Sequence, residues 1–215
     1  MSISAGQVRR HRSDHGFTLI ELMIVVAIVA ALAVVAIVAY TRHLKSGRLV
    51  GAREFVSSIQ ARQAAYFQQH GWYCDASGGT TFYPALAVKE PRAKTWTSVP
   101  SGWSQLGLRP EGGVVYGATM VRASNPNASP AHTLSGDAYG SALGIPAQPT
   151  TVTDAGVPAT PHPWYYIVSH LDLDGSETSY PNGGCTAVLA STSGTCTILT
   201  STSAQTEIKL FNEGK

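Results

Sequence analysis

The hydrophobic positions near the start of the chain form one continuous run. From Leu22 to Tyr40, nineteen residues carry no charge. A helix rises about 1.5 Å per residue, so about 20 residues cross the roughly 30 Å hydrocarbon core of a bilayer. This segment is therefore predicted to be a membrane-spanning helix.

Beyond Tyr40, the apolar positions recur at the spacing of one helix face, which predicts that the same helix continues as an amphipathic segment to about Gln69. His70-Gly71 is predicted to end the helix, because glycine best accepts the left-handed conformation that commonly follows a helix. The predicted apolar stripe consists of Ala52, Phe55, Val56, Ile59, Tyr66 and Phe67.

Short runs rich in β-branched and aromatic residues follow, separated by turn-forming residues, and they predict strands. The strand candidates are Gly113 to Ala123, Trp164 to Leu171, Thr186 to Ala190, Cys196 to Thr200 and Thr206 to Phe211. Ser124 to Pro163 contains seven prolines, and its forty residues predict a long surface loop. The whole pattern predicts an α+β fold, in which a long N-terminal helix, half of it transmembrane, packs on a C-terminal antiparallel β-sheet.

One ionisable residue, Glu21, lies at the start of the apolar run. An ionisable group costs about 2.5 to 3.5 kcal/mol at the centre of a bilayer, and less near an end of the segment. A residue retained at that cost is expected to have a partner, and the most useful partner belongs to another chain.

Gly16, Phe17, Thr18, Leu19, Ile20 and Glu21 precede the apolar run. Together with that run they resemble the prepilin signal of type IV pilins and type II secretion pseudopilins, over about residues 9 to 40. The resemblance implies a pilin-like fold. It also implies that a membrane peptidase cuts after Gly16 on the cytoplasmic side and methylates the new amino terminus at Phe17. Glu21 is implied to pair with the amino terminus of a neighbouring subunit, since opposite charges attract strongly in a low-dielectric bundle.

The same resemblance implies four regions in the chain. They are a leader at residues 1–16, the transmembrane and assembly half of the helix at 17–40, its amphipathic half at 41–70 and a β-sheet domain at 71–215. The implied location is the bacterial inner membrane, with the C-terminal domain in the periplasm, and then the pilus. The implied partners are the prepilin peptidase and methyltransferase, other pilin subunits and the inner-membrane assembly platform.

Two positions depart from the common pilin pattern. Ala30 and Val38 stand where many pilins have helix-weakening glycine and proline. Because proline kinks a helix, its absence predicts a straighter segment and favours a minor pilin or a pseudopilin over a major subunit, and of these we predict a minor pilin. A pseudopilin of a type II secretion system and a pilus-tip adhesin or DNA-uptake subunit are the alternatives. An ordinary secretory signal peptide has a shorter apolar core, and a plain single-pass anchor explains neither Gly16-Phe17 nor Glu21.

Charge excludes a general attraction to nucleic acid. The chain has fifteen basic and thirteen acidic residues, and removal of the leader leaves twelve of each. Arg42, Lys45, Arg48 and Arg53 cluster beside the membrane segment, where they favour phospholipid headgroups over DNA.

The three cysteines all follow the membrane segment, on the oxidising side of the implied topology. Cys185 and Cys196 are the natural pair, in a region that resembles the disulfide-bounded C-terminal region of many pilins. Such a bond would stabilise the fold by roughly 3 kcal/mol. Cys74 is then either buried and free or paired with one of the other two.

An acidic turn follows the strand candidate that ends at Leu171. Asp172, Asp174 and Glu177 surround Gly175 in the type of oxygen-rich geometry that Ca²⁺ uses, and some pseudopilins bind calcium near their C-terminus. The spacing is not that of an EF-hand, and an Asp-Gly pair between strands predicts a hairpin by itself. We favour the bare hairpin and expect no other cofactor.

The sequence contains no recognisable catalytic arrangement. Its seven histidines are scattered, no Gly-x-Ser-x-Gly elbow occurs, and the glycine pairs lack the context and the lysine of a phosphate-binding loop. We predict a packing role, in which the ring holds a loop on the sheet, and not a ligand contact for Trp72, Trp96 and Trp103. We therefore predict a structural protein and not an enzyme.

Overall fold

The structure is a computed structural model, and it divides the chain into two compact units, residues 1–43 and 44–215. The residues that it describes are 17–79, 81–85, 92–124, 163–173 and 197–211.

The longest element is helix α1, Leu19–His70, with 52 residues. In the first unit its apolar side chains are exposed. Among the described residues it is the one helix long and apolar enough to cross a membrane. The predicted end is confirmed, because Gly71 has φ of 77° and its N–H donates to the Phe67 carbonyl at 2.8 Å.

In the second unit, one face of α1 is buried as the apolar spacing predicts. Ala52, Phe55, Val56 and Ile59 are buried, while Tyr66 and Phe67 are half-buried. The sequence pattern missed two buried members of this face, Leu49 and Gln63.

Gln63 is buried because its amide group has a matching backbone partner. Its Nε2 donates to the Cys74 carbonyl at 2.7 Å, and its Oε1 accepts from the Cys74 N–H at 2.9 Å. A buried amide is tolerated when both of its polar ends are hydrogen-bonded. This pair fixes the chain directly after α1 onto the helix.

The β-structure of the second unit is antiparallel throughout the described residues. A four-stranded sheet has the order β3-β4-β5-β6, and β1 and β2 form a small two-stranded sheet. The strands are β1 Lys94–Thr95, β2 Val114–Val115, β3 Ala118–Ala123, β4 Tyr165–Leu171, β5 Thr197–Thr202 and β6 Lys209–Phe211. A short helix α2, Ser101–Gln105, lies between β1 and β2, and one 3₁₀ turn, Glu111–Gly113, leads into β2. The α+β architecture predicted from the sequence is therefore confirmed.

Several predicted strand limits need correction. The run from Gly113 to Ala123 is not one strand, because the backbone turns at Tyr116-Gly117, where Gly117 has φ of 80°. The strands predicted from Cys196 and Thr206 are observed as β5 and β6. Neither β1 nor α2 was predicted. Thr186 to Ala190, and all of the predicted loop except Ser124 and Pro163, lie outside the described residues.

The main core lies between α1 and the sheet. Val121, Ile167 and Leu199 belong to one buried cluster with Val56 and Ile59 of α1. On the same side of the sheet, Gln60 Nε2 donates to the Ser201 hydroxyl at 2.6 Å and to the Thr206 carbonyl at 2.7 Å. Burial of this face is the main stabilising contribution, at about 25 cal/mol per Å² of apolar area.

Aromatic rings from the segment between β1 and β2 extend this core. Trp103 is buried, and the Trp96 ring lies 5.5 Å from it and 5.4 Å from the Phe55 ring, edge to face in both pairs. Tyr83 also lies edge to face with Trp96, at 4.7 Å. Trp96 and Trp103 therefore have a packing role, as predicted, but within the described residues the ring contacts of Trp96 are with Phe55 of α1, Tyr83 and Trp103 and not with the sheet.

The opposite face of β3, β4 and β5 is also buried, with Met120, Tyr166 and Val168 among its side chains. His170 lies on this face between Ala118 and Ile198 of the neighbouring strands, and its ring is 4.9 Å from the Phe82 ring. Burial lowers the pKa of the His170 imidazole to about 4, because the charged form would lose its hydration.

Because of His170, the free energy of unfolding is expected to depend on pH. Between about pH 4 and 6.5 the unfolded chain binds a proton at His170 and the folded chain does not, so the free energy of unfolding should fall as the pH falls, by about 3 kcal/mol. Denaturant unfolding across this window measures the slope. His170→Gln should remove this part of the slope, and His70→Gln, at an exposed position, should keep it. An unchanged slope in His170→Gln would contradict the prediction.

Candidate functional site

The first turn of α1 contains a reciprocal capping arrangement. Thr18 directly precedes the first helical residue, and Glu21 follows it by three positions. The Glu21 N–H donates to Thr18 Oγ1 at 3.3 Å, and the Thr18 N–H donates to Glu21 Oε2 at 3.4 Å. Thr18 Oγ1 also donates to Glu21 Oε2 at 3.3 Å. This is a capping box, in which two backbone N–H groups that lack helical partners are satisfied by side chains.

The capping box determines how Glu21 is held. Its carboxylate accepts two hydrogen bonds at the positive end of the helix dipole, where a negative charge is stabilised by about 0.3 to 1 kcal/mol. This role of Thr18 was not predicted, although the spacing Thr-x-x-Glu before an apolar run is its known signal. Because the Thr18 N–H and hydroxyl donate to it, the Glu21 carboxylate retains two hydrogen bonds when the surrounding side chains or lipid are apolar.

Phe17 directly precedes the cap, and its side chain is 82% exposed. Gly16, on the other side of the predicted cleavage site, lies outside the described residues. A cut between these two residues would create an α-amino group four positions before Glu21. The structure therefore brings together Phe17, Thr18 and Glu21 at one end of α1.

The side chains that follow the cap form an uninterrupted apolar surface. Leu22, Ile28 and Val35 are among many large apolar residues of the first unit that are more than half exposed. Soluble monomers rarely expose apolar surface of this extent, and an apolar helix of this kind is stable in lipid or against other apolar helices. The arrangement can thus serve in a membrane or in a helical bundle.

Of the residues predicted to form a calcium site, one lies in the described part of the chain. Asp172 directly follows β4 and is buried, whereas Asp174 and Glu177 lie outside the described residues. Within the described part of the chain, no group of three or more His, Cys, Asp or Glu side chains could hold a metal ion.

Of the cysteines, Cys74 lies in the described part of the chain and is free and buried. Burial, and secondarily the nearby Asp75, raises the pKa of its thiol to about 12, so it is a structural and not a reactive thiol. Cys185 and Cys196 lie outside the described residues, and their pairing stays a prediction.

Two of the basic residues beyond the predicted membrane segment have distinct environments in the second unit. Arg48 Nη1 donates to the Leu173 carbonyl at 2.6 Å, which connects the helix to the residues that follow β4. Arg53 is exposed. Arg48 of the basic cluster therefore stabilises the fold of the second unit.

Comparison with known proteins identifies the N-terminal segment. Residues 11–37 match the family model described as the prokaryotic N-terminal methylation motif. No curated protein and no solved structure matches the chain. The matched range contains the Gly16-Phe17 pair and the Thr18–Glu21 capping box. The chain therefore carries the prepilin signal of the type IV pilin and pseudopilin family, followed by a pilin-like α+β fold.

Proposed function

We propose that the chain is a structural subunit of a type IV pilus, made as a prepilin and assembled through its N-terminal helix. The observation that supports this most directly is the capping box at Thr18 and Glu21, placed inside the matched methylation motif and directly before an exposed apolar helix. The motif points to a structural subunit and not to an enzyme. Phe17 is the proposed methylated terminus and Gly16 the residue after which the leader is cut.

In the proposed mechanism, Glu21 changes its partner during assembly. While the subunit is stored in the inner membrane, with its C-terminal domain in the periplasm, the carboxylate accepts from the Thr18 N–H and hydroxyl. In the filament, the amino terminus of the neighbouring Phe17 supplies a positive charge in the same low-dielectric surrounding. Leaving either charge buried without a partner costs about 3 to 5 kcal/mol. Joining the filament thus stabilises both groups.

We further propose that the subunit is a minor pilin. Ala30 and Val38 stand where many pilins have the glycine and the proline that weaken this helix. Because neither residue interrupts it, helix α1 is continuous through both positions. A stiffer segment is harder to unwind when subunits pack into a filament core. The same observation also fits a pseudopilin of a type II secretion system, which is the second candidate.

Processing provides the first test. Co-expression of the chain with a prepilin peptidase should yield a product that begins at Phe17 and carries one added methyl group, as measured by mass spectrometry of the N-terminal peptide. Gly16→Leu is the control, and it should remain uncut because the peptidase recognises the glycine. Cleavage elsewhere in the wild-type chain, as in an ordinary secretory precursor, would overturn the proposal.

The location of the subunit provides the second test. Immunogold labelling of sheared filaments should give sparse or tip labelling for a minor pilin, whereas uniform labelling would contradict the minor role. Labelled filaments that depend on a secretin exporter, and not on a pilus retraction ATPase, would favour the pseudopilin.

A further inference from the structure

A groove of about 550 Å³ lies on one flank of α1 in the second unit, against the residues that lead into and out of β2. Its floor is apolar and includes Gly51, Phe55 and Tyr116. A Cβ atom at Gly51 would lie 3.0 Å from Tyr116 Cδ2, so the glycine lets the tyrosine ring approach the helix backbone. Val114, which is 38% exposed, forms part of the wall.

The rim of the groove is charged. Glu54 of α1 and Glu111 of the 3₁₀ turn contribute two carboxylates, and Arg109 contributes one guanidinium. All three residues are exposed, and within the described part of the chain none of them forms an ion pair. The groove thus combines an apolar floor with a net negative rim, which matches an apolar side chain that stands beside a cation.

The same helix carries that combination on the solvent side of the groove rim. Val50 is 51% exposed, and Arg53, three residues later, is also exposed. Residues three apart lie on the same side of a helix. Phe55 in the groove is two residues beyond Arg53, and at about 100° per residue it lies about 200° around the helix from it. Each copy of the chain therefore presents the groove and its complement in different directions.

We propose that the groove receives the Val50 and Arg53 flank of α1 from a second copy of this chain. The inference rests on the proposed role as a filament subunit, because that role places copies side by side. A contact between two different patches repeats without closing and generates an open helical assembly. Pairing two grooves about a two-fold axis would instead bring together two rims that each carry two acids and one base, and the like net charge of the rims disfavours that arrangement.

Directional cross-linking tests this contact. Two differently tagged copies, one with Arg53→Cys and the other with Glu111→Cys, are co-expressed at raised levels, so that copies meet even if the subunit is minor in the filament. Adding an oxidant to isolated membranes should give a mixed disulfide-linked dimer at least about tenfold more abundant than the dimers of either same-site pair. Wild-type copies give the background from the native cysteines. Equal cross-linking of mixed and same-site pairs would overturn the proposal.

Charge reversal gives an independent measurement in the chain without added cysteines. Arg53→Glu and Glu111→Arg should each reduce the self-association of the chain about tenfold relative to the wild type. The double variant should restore self-association to the wild-type level. Arg92→Glu, at an exposed position outside the groove, is the matched control and should have no effect. Loss in both single variants without rescue would show that the groove holds another occupant, which would overturn the assignment to a second copy.

These outcomes separate the groove from the proposed function. Labelled filaments without the mixed cross-link would reject the groove contact and leave the filament role intact. A mixed cross-link in a chain that is never processed or found in filaments would support the contact and reject the filament role.

Discussion

Glu21→Ala is expected to leave membrane insertion intact and to prevent incorporation into filaments. Insertion depends on the apolar run from Leu22 to Tyr40, which the substitution does not shorten. Assembly fails because the amino terminus of the neighbouring Phe17 is left as a buried charge without a partner, at a cost of about 3 to 5 kcal/mol. Membrane fractionation measures insertion, and immunoblotting of sheared filaments measures incorporation.

Glu21→Gln separates the charge of this residue from its capping role. Glutamine at the third helical position can still accept from the Thr18 N–H, as capping boxes with glutamine do, but it has no charge. It should therefore insert normally and fail to assemble, as the alanine variant does. Assembly of Glu21→Gln at the wild-type level, with Glu21→Ala blocked, would assign the effect to the cap. Normal assembly of Glu21→Ala would show that the pairing role is wrong.

The features that the sequence predicts correctly depend on local patterns. Helix α1 is predicted along nearly its whole length because hydrophobicity and helical spacing are properties of neighbouring residues. Its end is predicted because Gly71 alone supplies the left-handed conformation. The capping box is also local, since Thr18 and Glu21 are three positions apart, and that spacing is sufficient to predict it.

The features that the sequence misses depend on contacts between distant segments. Gln63 is buried because the Cys74 backbone meets both ends of its amide, and no pattern within α1 predicts that pairing. The groove joins residues near Gly51 to residues near Tyr116, which are far apart in the sequence. The exposed rim residues follow no periodic pattern, so this surface could not be predicted before the fold was known.

Gly117 is a third case of this kind, and it explains why the predicted strand from Gly113 to Ala123 is divided. The run is rich in strand-forming residues, so its composition predicts one continuous strand. The backbone at Gly117 instead takes a positive φ of 80°, directly before Ala118 begins β3 opposite His170. A Cβ atom at this position would overlap the His170 carbonyl oxygen and lie 3.1 Å from Leu171 Cγ. Glycine is therefore required both by the turn and by the approach of β4.

Gly117→Ala is accordingly expected to destabilise the fold by about 3 to 4 kcal/mol, from left-handed strain and from overpacking together. Gly107→Ala separates the two causes, because Gly107 has a similar φ of 62° and nothing lies within 4 Å of its Cβ position. That control should lose only the strain contribution, about 1 to 2 kcal/mol. Urea unfolding followed by tryptophan fluorescence measures both values, since all four tryptophans lie in the second unit. Equal losses in the two variants would mean that β4 moves aside without cost, and that the close approach at His170 does not determine where β3 begins.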